Sequence, residues 1–199
     1  MRIKSNWFKE GRAHTPQEIS DALAFVVSRI ANNALNNTRK AKFEIETGPQ
    51  YFDFLAEFLM FLVLSADRIA YRTLAEADRQ IFTGNLANRV AETYAENRSR
   101  LLAGDLKQCK QDFIDLLNQR AGEYADFSYD ENGPSYAFYR YLAYCIGGIM
   151  NDADSGWIID QIISFEAPEA IQMVDKTLRG LNETEPRQPR RRRATSSGD

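Results

Sequence analysis

Residues that commonly carry metal or nucleophilic chemistry are scarce in this 199-residue chain. It has one histidine, His14, and two cysteines, Cys109 and Cys145, with no CxxC pair and no histidine near either cysteine. This excludes the usual zinc spacings and a disulfide framework, and both cysteines are expected to be small buried residues. The sequence also lacks a glycine-rich phosphate loop, a serine nucleophile elbow and an HExxH helix. We therefore expect no metal and no cofactor, and the common enzyme classes are disfavoured.

Long hydrophobic runs are also absent. The apolar run Phe58 to Leu64 has charged residues close to it on both sides, whereas a membrane span needs about 20 apolar residues. The N-terminal residues MRIKSNWFKEGR contain no apolar stretch of the signal-peptide type. We expect no membrane span, and with two unpaired cysteines the pattern favours a cytoplasmic location.

Charge is distributed unevenly along the chain. The net charge is −3, yet the last 17 residues contain five Arg against three acidic residues, which leaves the remainder acidic. An acidic body disfavours a nucleic-acid-binding face. We expect residues 182–199 to form a disordered basic tail, because they contain no apolar residue except Ala194. Its arginines, Arg190, Arg191, Arg192 and Arg193, either make weak contacts with polyanions or have no role.

Apolar periodicity predicts helices throughout residues 1–181. Thr15, Pro16 and Glu18 form a capping box at the start of the first helix. Further helices are expected over about 78–102, from about 106, from Pro134, and from about 155 with a kink at Pro168. The segment KFEIE at residues 42–46 is the only candidate strand.

The helix expected over about 50–75 is the centre of this fold. Phe58 to Leu64 are apolar on every side of a helix, so that helix must be enclosed by others. In particular, Leu59, Leu62 and Val63 should be buried. The pattern predicts an all-α, single-domain antiparallel bundle of five to six helices, spanning residues 1–181, around this central helix.

Carboxylates of the central helix are the first candidates for chemistry. Asp53, Glu57 and Asp67 lie on one broad side of the helix, an arrangement that a carboxylate-based hydrolase or lyase could use. In the alternative, these charges mark the solvated ends of the helix or pair with Arg68, Arg72 or Arg79. A di-iron site would require Glu-x-x-His pairs, which a chain with one histidine cannot supply.

The fifth helix has the most unusual composition. Phe138, Leu142, Cys145, Ile146 and Ile149 form its expected core face. A second side carries Tyr136, Arg140, Tyr144 and Gly147, and Tyr139 adds to the same aromatic cluster. Tyrosine is favoured where a ring is partly buried and its hydroxyl hydrogen-bonded. Three uses of this second side stay open: packing against another helix of the chain, a subunit interface, or a ligand pocket.

These observations lead to a hypothesis of association. We expect a non-enzymatic helical protein that acts through self-association, as a homo-oligomer such as a homodimer, or through a protein partner. The binding residues would be Tyr136, Tyr139, Arg140, Tyr144 and Gly147. The alternatives are a helical binding protein for a small apolar ligand, held between the central and fifth helices, and the carboxylate-based enzyme.

Overall fold

Helices account for most of the described chain. The computed structural model describes residues 14–182, so the arginine tail and most of the segment before Thr15 lie outside the description. The helices are α1 (Pro16–Lys40), α2 (Pro49–Ala70), α3 (Glu76–Leu102), α4 (Leu106–Ala125), α5 (Tyr136–Gly147), α6 (Trp157–Gln161) and α7 (Ala167–Asn182). A π-helical turn, Ile162–Glu166, joins α6 to α7, so these three segments form one helix with a local change of pitch.

The start of α1 is the predicted capping box. Glu18 N donates to Thr15 Oγ1 at 3.2 Å, and Thr15 N donates to Glu18 Oε2 at 3.0 Å. Pro16 occupies the first helical position, where its missing N–H removes no helical bond. Two N–H groups that a helix start leaves without a helical acceptor are thereby satisfied.

Helix α2 is the central helix, as its apolar run predicted. It contacts α1, α3, α4, α5 and α7, and Leu59, Leu62 and Val63 are buried in the core. Phe54, Phe58 and Phe61 are buried in the same helix, and their rings form a chain with centroids about 6 Å apart. The predicted all-α bundle around a buried central helix is confirmed.

Extended structure is confined, within residues 14–182, to a short hairpin between α4 and α5. Strands β1 (Tyr129–Asp130) and β2 (Gly133–Pro134) pair antiparallel, with Tyr129 opposite Pro134. Gly133 has φ = 110°, a conformation that glycine adopts without a steric penalty. The segment at residues 42–46, the candidate strand, forms no ladder and connects α1 to α2 as an irregular loop.

The predicted interruption at Pro168 takes the form of the π-helical turn just before it. Proline has no N–H, so it cannot donate to the carbonyl of residue 164, and its ring crowds that carbonyl. The chain widens the helix instead, and Ala167 N donates to Ile162 O, five residues earlier. No helix within residues 14–182 has the length and apolar content needed to cross a membrane.

Candidate functional site

Helix α5 is held by a cap and by a buried aromatic face. Phe138 N donates to Ser135 Oγ at 3.4 Å, directly after the hairpin that ends at Pro134. The ring of Phe138 lies 4.5 Å from the ring of Tyr124 on α4 and 5.6 Å from that of Phe61 on α2, measured between centroids. The predicted inner face is therefore fixed against the centre of the bundle, which determines which side of α5 faces outward.

The predicted second side of α5 separates into exposed and buried residues. Tyr136, Arg140 and Tyr144 are exposed and lie one helical turn apart. Tyr139 is half-buried, with its ring 6.3 Å from that of Phe61, and burial raises the pKa of its hydroxyl. Because no other part of residues 14–182 covers Tyr136 and Tyr144, packing within the chain does not account for these two side chains.

Gly147 lies on the same second side of α5 as the helical wheel indicates, but the start of α6 covers it. It is buried, and a Cβ placed on it would lie 3.2 Å from Ser155 O and 3.7 Å from Ile159 Cγ1. The missing side chain allows the start of α6 to approach α5 closely. The position of Gly147 is thus explained by helix packing.

Two further exposed aromatic residues lie on the helix that packs beside α5. Trp157 begins α6, and Phe165 lies in the π-helical turn, which also contacts α5. Together with Tyr136 and Tyr144 they are exposed by 62–72%, and we call these four side chains the aromatic hairpin. They are four of the nine large exposed hydrophobic side chains among the described residues.

The π-helical turn explains why Phe165 is exposed. In a regular α-helix Phe165, three residues after the buried Ile162, would also face the core. A π-helical turn contains more residues per turn, so three residues after Ile162 no longer complete a turn and Phe165 lies away from the inner face, whereas Glu166, one residue further, still reaches it. Glu166 is accordingly buried while Phe165 is exposed. Pro168 indicates from the sequence that the helix is interrupted here, but it does not indicate which side chain the interruption turns outward.

A charge network lies behind α5, between α2 and α4. Arg120 donates from Nε and Nη2 to the two carboxylate oxygens of Glu57, at 2.8 and 2.6 Å. Its Nη1 donates to Glu123 Oε2 at 2.8 Å, and the Tyr141 hydroxyl donates to the same Glu123 oxygen. The expectation that Glu57 marks a solvated helix end or pairs with Arg68, Arg72 or Arg79 is wrong. Glu57 is buried, and its partner comes from α4.

The network shifts the pKa values of its members in opposite directions. The hydrogen bond from Tyr141 is the main cause that lowers the pKa of Glu123. Burial and that same hydrogen bond raise the pKa of Tyr141. Burial raises the pKa of Cys145 to about 11, so its thiol is protonated at neutral pH. Cys145 is half-buried rather than fully buried as expected, whereas Cys109 is buried.

A groove of about 540 Å³ opens beside this network, between α2, α4, α5 and the start of α6. Glu57, Arg120 and Glu123 form its polar side, and Tyr144 stands at its edge. Two carboxylates and one guanidinium give this side a net negative charge. The groove lies where a ligand pocket between the central and fifth helices was expected, but its charged lining suits a cationic group better than an apolar molecule.

The other carboxylates of α2 do not join this site. Asp67 accepts from Arg79 Nη2 at 2.7 Å and from Thr83 Oγ1 at 2.6 Å, so it pairs with one of the arginines expected. Asp53 is exposed and lines a neighbouring groove with Arg98, and Glu57 lines both grooves without a hydrogen bond to Asp53. No group of three or more His, Cys, Asp or Glu side chains within residues 14–182 is arranged to hold a metal ion. His14 lies 3.8 Å from Glu18, beside the capping box.

The arginine tail lies outside the described residues, so the prediction that it binds polyanions stays a prediction. Its residues are Arg190, Arg191, Arg192 and Arg193.

Comparison of the chain with protein-family models, curated proteins and solved structures yields no match.

Proposed function

We propose that this protein binds a partner protein through the aromatic hairpin, and that the bound segment of the partner is rich in arginine or lysine. The supporting observation is the exposure of Tyr136, Tyr144, Trp157 and Phe165 on two helices that pack side by side. Single exposed hydrophobic residues are common on protein surfaces. Four large aromatic side chains within thirty residues are typical of protein interfaces, where Tyr and Trp are enriched.

The charge of this part of the chain supports a basic partner. Residues 111–175 contain twelve Asp and Glu against two Arg and no Lys, and one of those arginines, Arg120, is already paired with two carboxylates. Arginine and lysine can lie over aromatic rings as well as pair with carboxylates. The second arginine, Arg140, is exposed between Tyr136 and Tyr144, so the excess of carboxylates belongs to this part of the chain as a whole. A basic segment would find both carboxylates and exposed rings there.

The same charge disfavours a symmetric homodimer through this surface. A two-fold dimer interface places the same residues of both subunits in contact, so the acidic residues of this part of the chain would come close to those of the second copy. Residues 14–182 carry 16 Lys and Arg against 24 Asp and Glu, a formal charge of −8 with histidine neutral. Like charges at short range oppose association. We therefore favour a different protein as the partner over a second copy.

Fluorescence anisotropy with a labelled nona-arginine peptide tests this proposal on the full-length protein. Truncating Tyr144 and Trp157 together to alanine should weaken binding by roughly tenfold, because each exposed cation–aromatic contact contributes about 0.5–1 kcal/mol. Phe25→Ala is the matched control, since Phe25 is 71% exposed but lies on α1. This control should bind as the wild type does.

Three results would contradict the proposal. If the double variant and the Phe25 control bind the peptide equally well, the peptide is attracted by the net charge of the protein and not by the aromatic hairpin. Equal binding of a nona-glutamate peptide would remove the charge argument. Sedimentation of the wild type as a dimer that Tyr144→Glu converts to monomer would show instead that a second copy occupies the surface, because that change places an unpaired charge in the interface.

A further inference from the structure

A second groove, of about 340 Å³, lies between α1 and α7, and Glu166 of the π-helical turn lines it. Its apolar wall consists of Ile30, Ala34, Ala170 and Met173. Its polar side consists of Asn33, Asn37, Lys40, Glu166 and Glu169. This volume is at the lower end of the range of about 300–1,000 Å³ that small-molecule sites occupy.

Glu166 is the unusual residue of this groove. It is 5% exposed, and its two carboxylate oxygens accept one hydrogen bond each, from Gln161 Nε2 at 2.9 Å and from Asn37 Nδ2 at 3.4 Å. Neutral amides are its only polar partners within residues 14–182, and no Lys or Arg of that range forms an ion pair with it. Each oxygen therefore keeps a lone pair for a further donor.

Buried carboxylates in folded proteins are normally paired with a cation or bound to a metal. Lys40 lies at the rim of the groove and is exposed, yet it forms no ion pair with Glu166. Glu169, one turn along α7, is also exposed and adds a second negative charge. The groove thus combines a buried carboxylate that has no cationic partner with an opening to solvent.

From this geometry we infer that the groove between α1 and α7 binds an organic ammonium ion with a short hydrocarbon stem, whose charged group is held by Glu166. An ammonium group supplies N–H donors for the open lone pairs of the carboxylate. The stem would lie against Ala34, Ala170 and Met173, which line the same groove. The chemical class includes primary alkylamines, diamines and the side chain of a lysine.

A divalent metal ion fits this site less well. Calcium takes six to eight oxygen ligands, and magnesium demands a near-ideal octahedron. The described residues of the groove offer two carboxylates, and the amides of Asn37 and Gln161 direct their N–H groups at Glu166. Four of the nine residues that line the groove are apolar, and these can contact a hydrocarbon stem but cannot bind a metal.

Butylammonium is the probe, with butanol as its neutral counterpart, both added to the full-length protein at neutral pH and followed by NMR. Butylammonium should shift the side-chain amide resonances of Asn37 and Gln161, because these groups contact the carboxylate that receives the ligand. Butanol should not. Glu166→Gln should weaken butylammonium binding at least tenfold, while Glu169→Gln, the same change at an exposed position one turn away, should alter it by about threefold or less.

Several outcomes would overturn the inference. The first is that butanol and butylammonium bind equally well. The second is that Glu166→Gln binds butylammonium as tightly as the wild type does. The third is that neither amide resonance shifts in the wild type. If magnesium or calcium chloride shifts the same amide resonances saturably and butylammonium does not, the groove binds a metal ion instead. Binding seen only after Lys40→Gln would mean that Lys40 itself occupies the site in solution. The resonance shifts need no variant, so the test holds even if Glu166→Gln fails to fold.

Discussion

Two glutamates are buried to almost the same extent in this bundle, and their surroundings are opposite. Glu57, on α2, is 7% exposed and receives two hydrogen bonds from the guanidinium of Arg120. Glu166, in the π-helical turn, is 5% exposed and receives hydrogen bonds from two neutral amides. The first charge is compensated within the fold. The second is not, and that difference is the physical basis for assigning a structural role to one and a ligand-binding role to the other.

Removal of the cation that compensates Glu57 should have the largest effect on stability. Arg120→Met should destabilise the protein by about 3–5 kcal/mol, because it leaves Glu57 buried without a partner. Urea unfolding at neutral pH measures the change. The double variant Glu57→Gln, Arg120→Met is the control and should be clearly more stable than Arg120→Met alone, because it leaves no buried carboxylate without a cation. A single variant as stable as the wild type would show that Arg120 does not compensate Glu57.

The opposite effect is expected at Glu166. Glu166→Gln should stabilise the protein by about 1 kcal/mol at neutral pH, since burial disfavours the charged carboxylate. The gain is small because glutamine keeps only one of the two oxygens that accept from Gln161 and Asn37. Urea unfolding of the wild type and the variant, without added amines, provides the measurement. A loss of stability would mean that the carboxylate is compensated after all.

The same substitution has a defined pH dependence. Burial raises the pKa of Glu166 in the folded protein, the amides of Gln161 and Asn37 oppose this, and the charge of Glu169 adds to it. With the folded pKa above the unfolded value of about 4.3, the wild type loses stability as pH rises from the unfolded pKa through the folded pKa. The advantage of Glu166→Gln should therefore be absent below about pH 4 and complete above the folded pKa.

The sequence predicts the bundle well because its elements depend on local signals. The capping box at Thr15 and the apolar run Phe58 to Leu64 involve residues close in sequence, and both appear as expected. The tyrosines of α5 were found by composition alone. Their division into exposed and buried residues depends on α6, a helix that the sequence predicts but whose packing against Gly147 it does not.

The two buried glutamates were not predicted because their positions depend on distant residues. Glu57 and Arg120 are 63 residues apart, and nothing in the sequence joins them. One signal was available: Arg120 lies on the same helical stripe as the buried Leu117 and Tyr124, where a charge needs a partner. For Glu166 the signal was weaker, because α-helical periodicity places Phe165 inward until the π-helical turn is known.

A similarly small effect is expected at Tyr141, whose hydroxyl belongs to the charge network of Glu57, Arg120 and Glu123. Tyr141→Phe removes the hydroxyl that donates to Glu123 while keeping the ring against Tyr124 and Phe127. We expect a loss of about 1 kcal/mol at neutral pH, the usual net contribution of one hydrogen bond. Because this bond is the main cause of the lowered pKa of Glu123, the loss should be present above the unfolded pKa and shrink as pH falls through the folded pKa. The pKa of Glu123 itself, followed by carboxyl NMR, should rise in the variant. A variant with unchanged stability and an unchanged Glu123 pKa would show that Arg120 and Gln119 hold Glu123 without Tyr141, and that Tyr141 takes no part in compensating the charges behind α5.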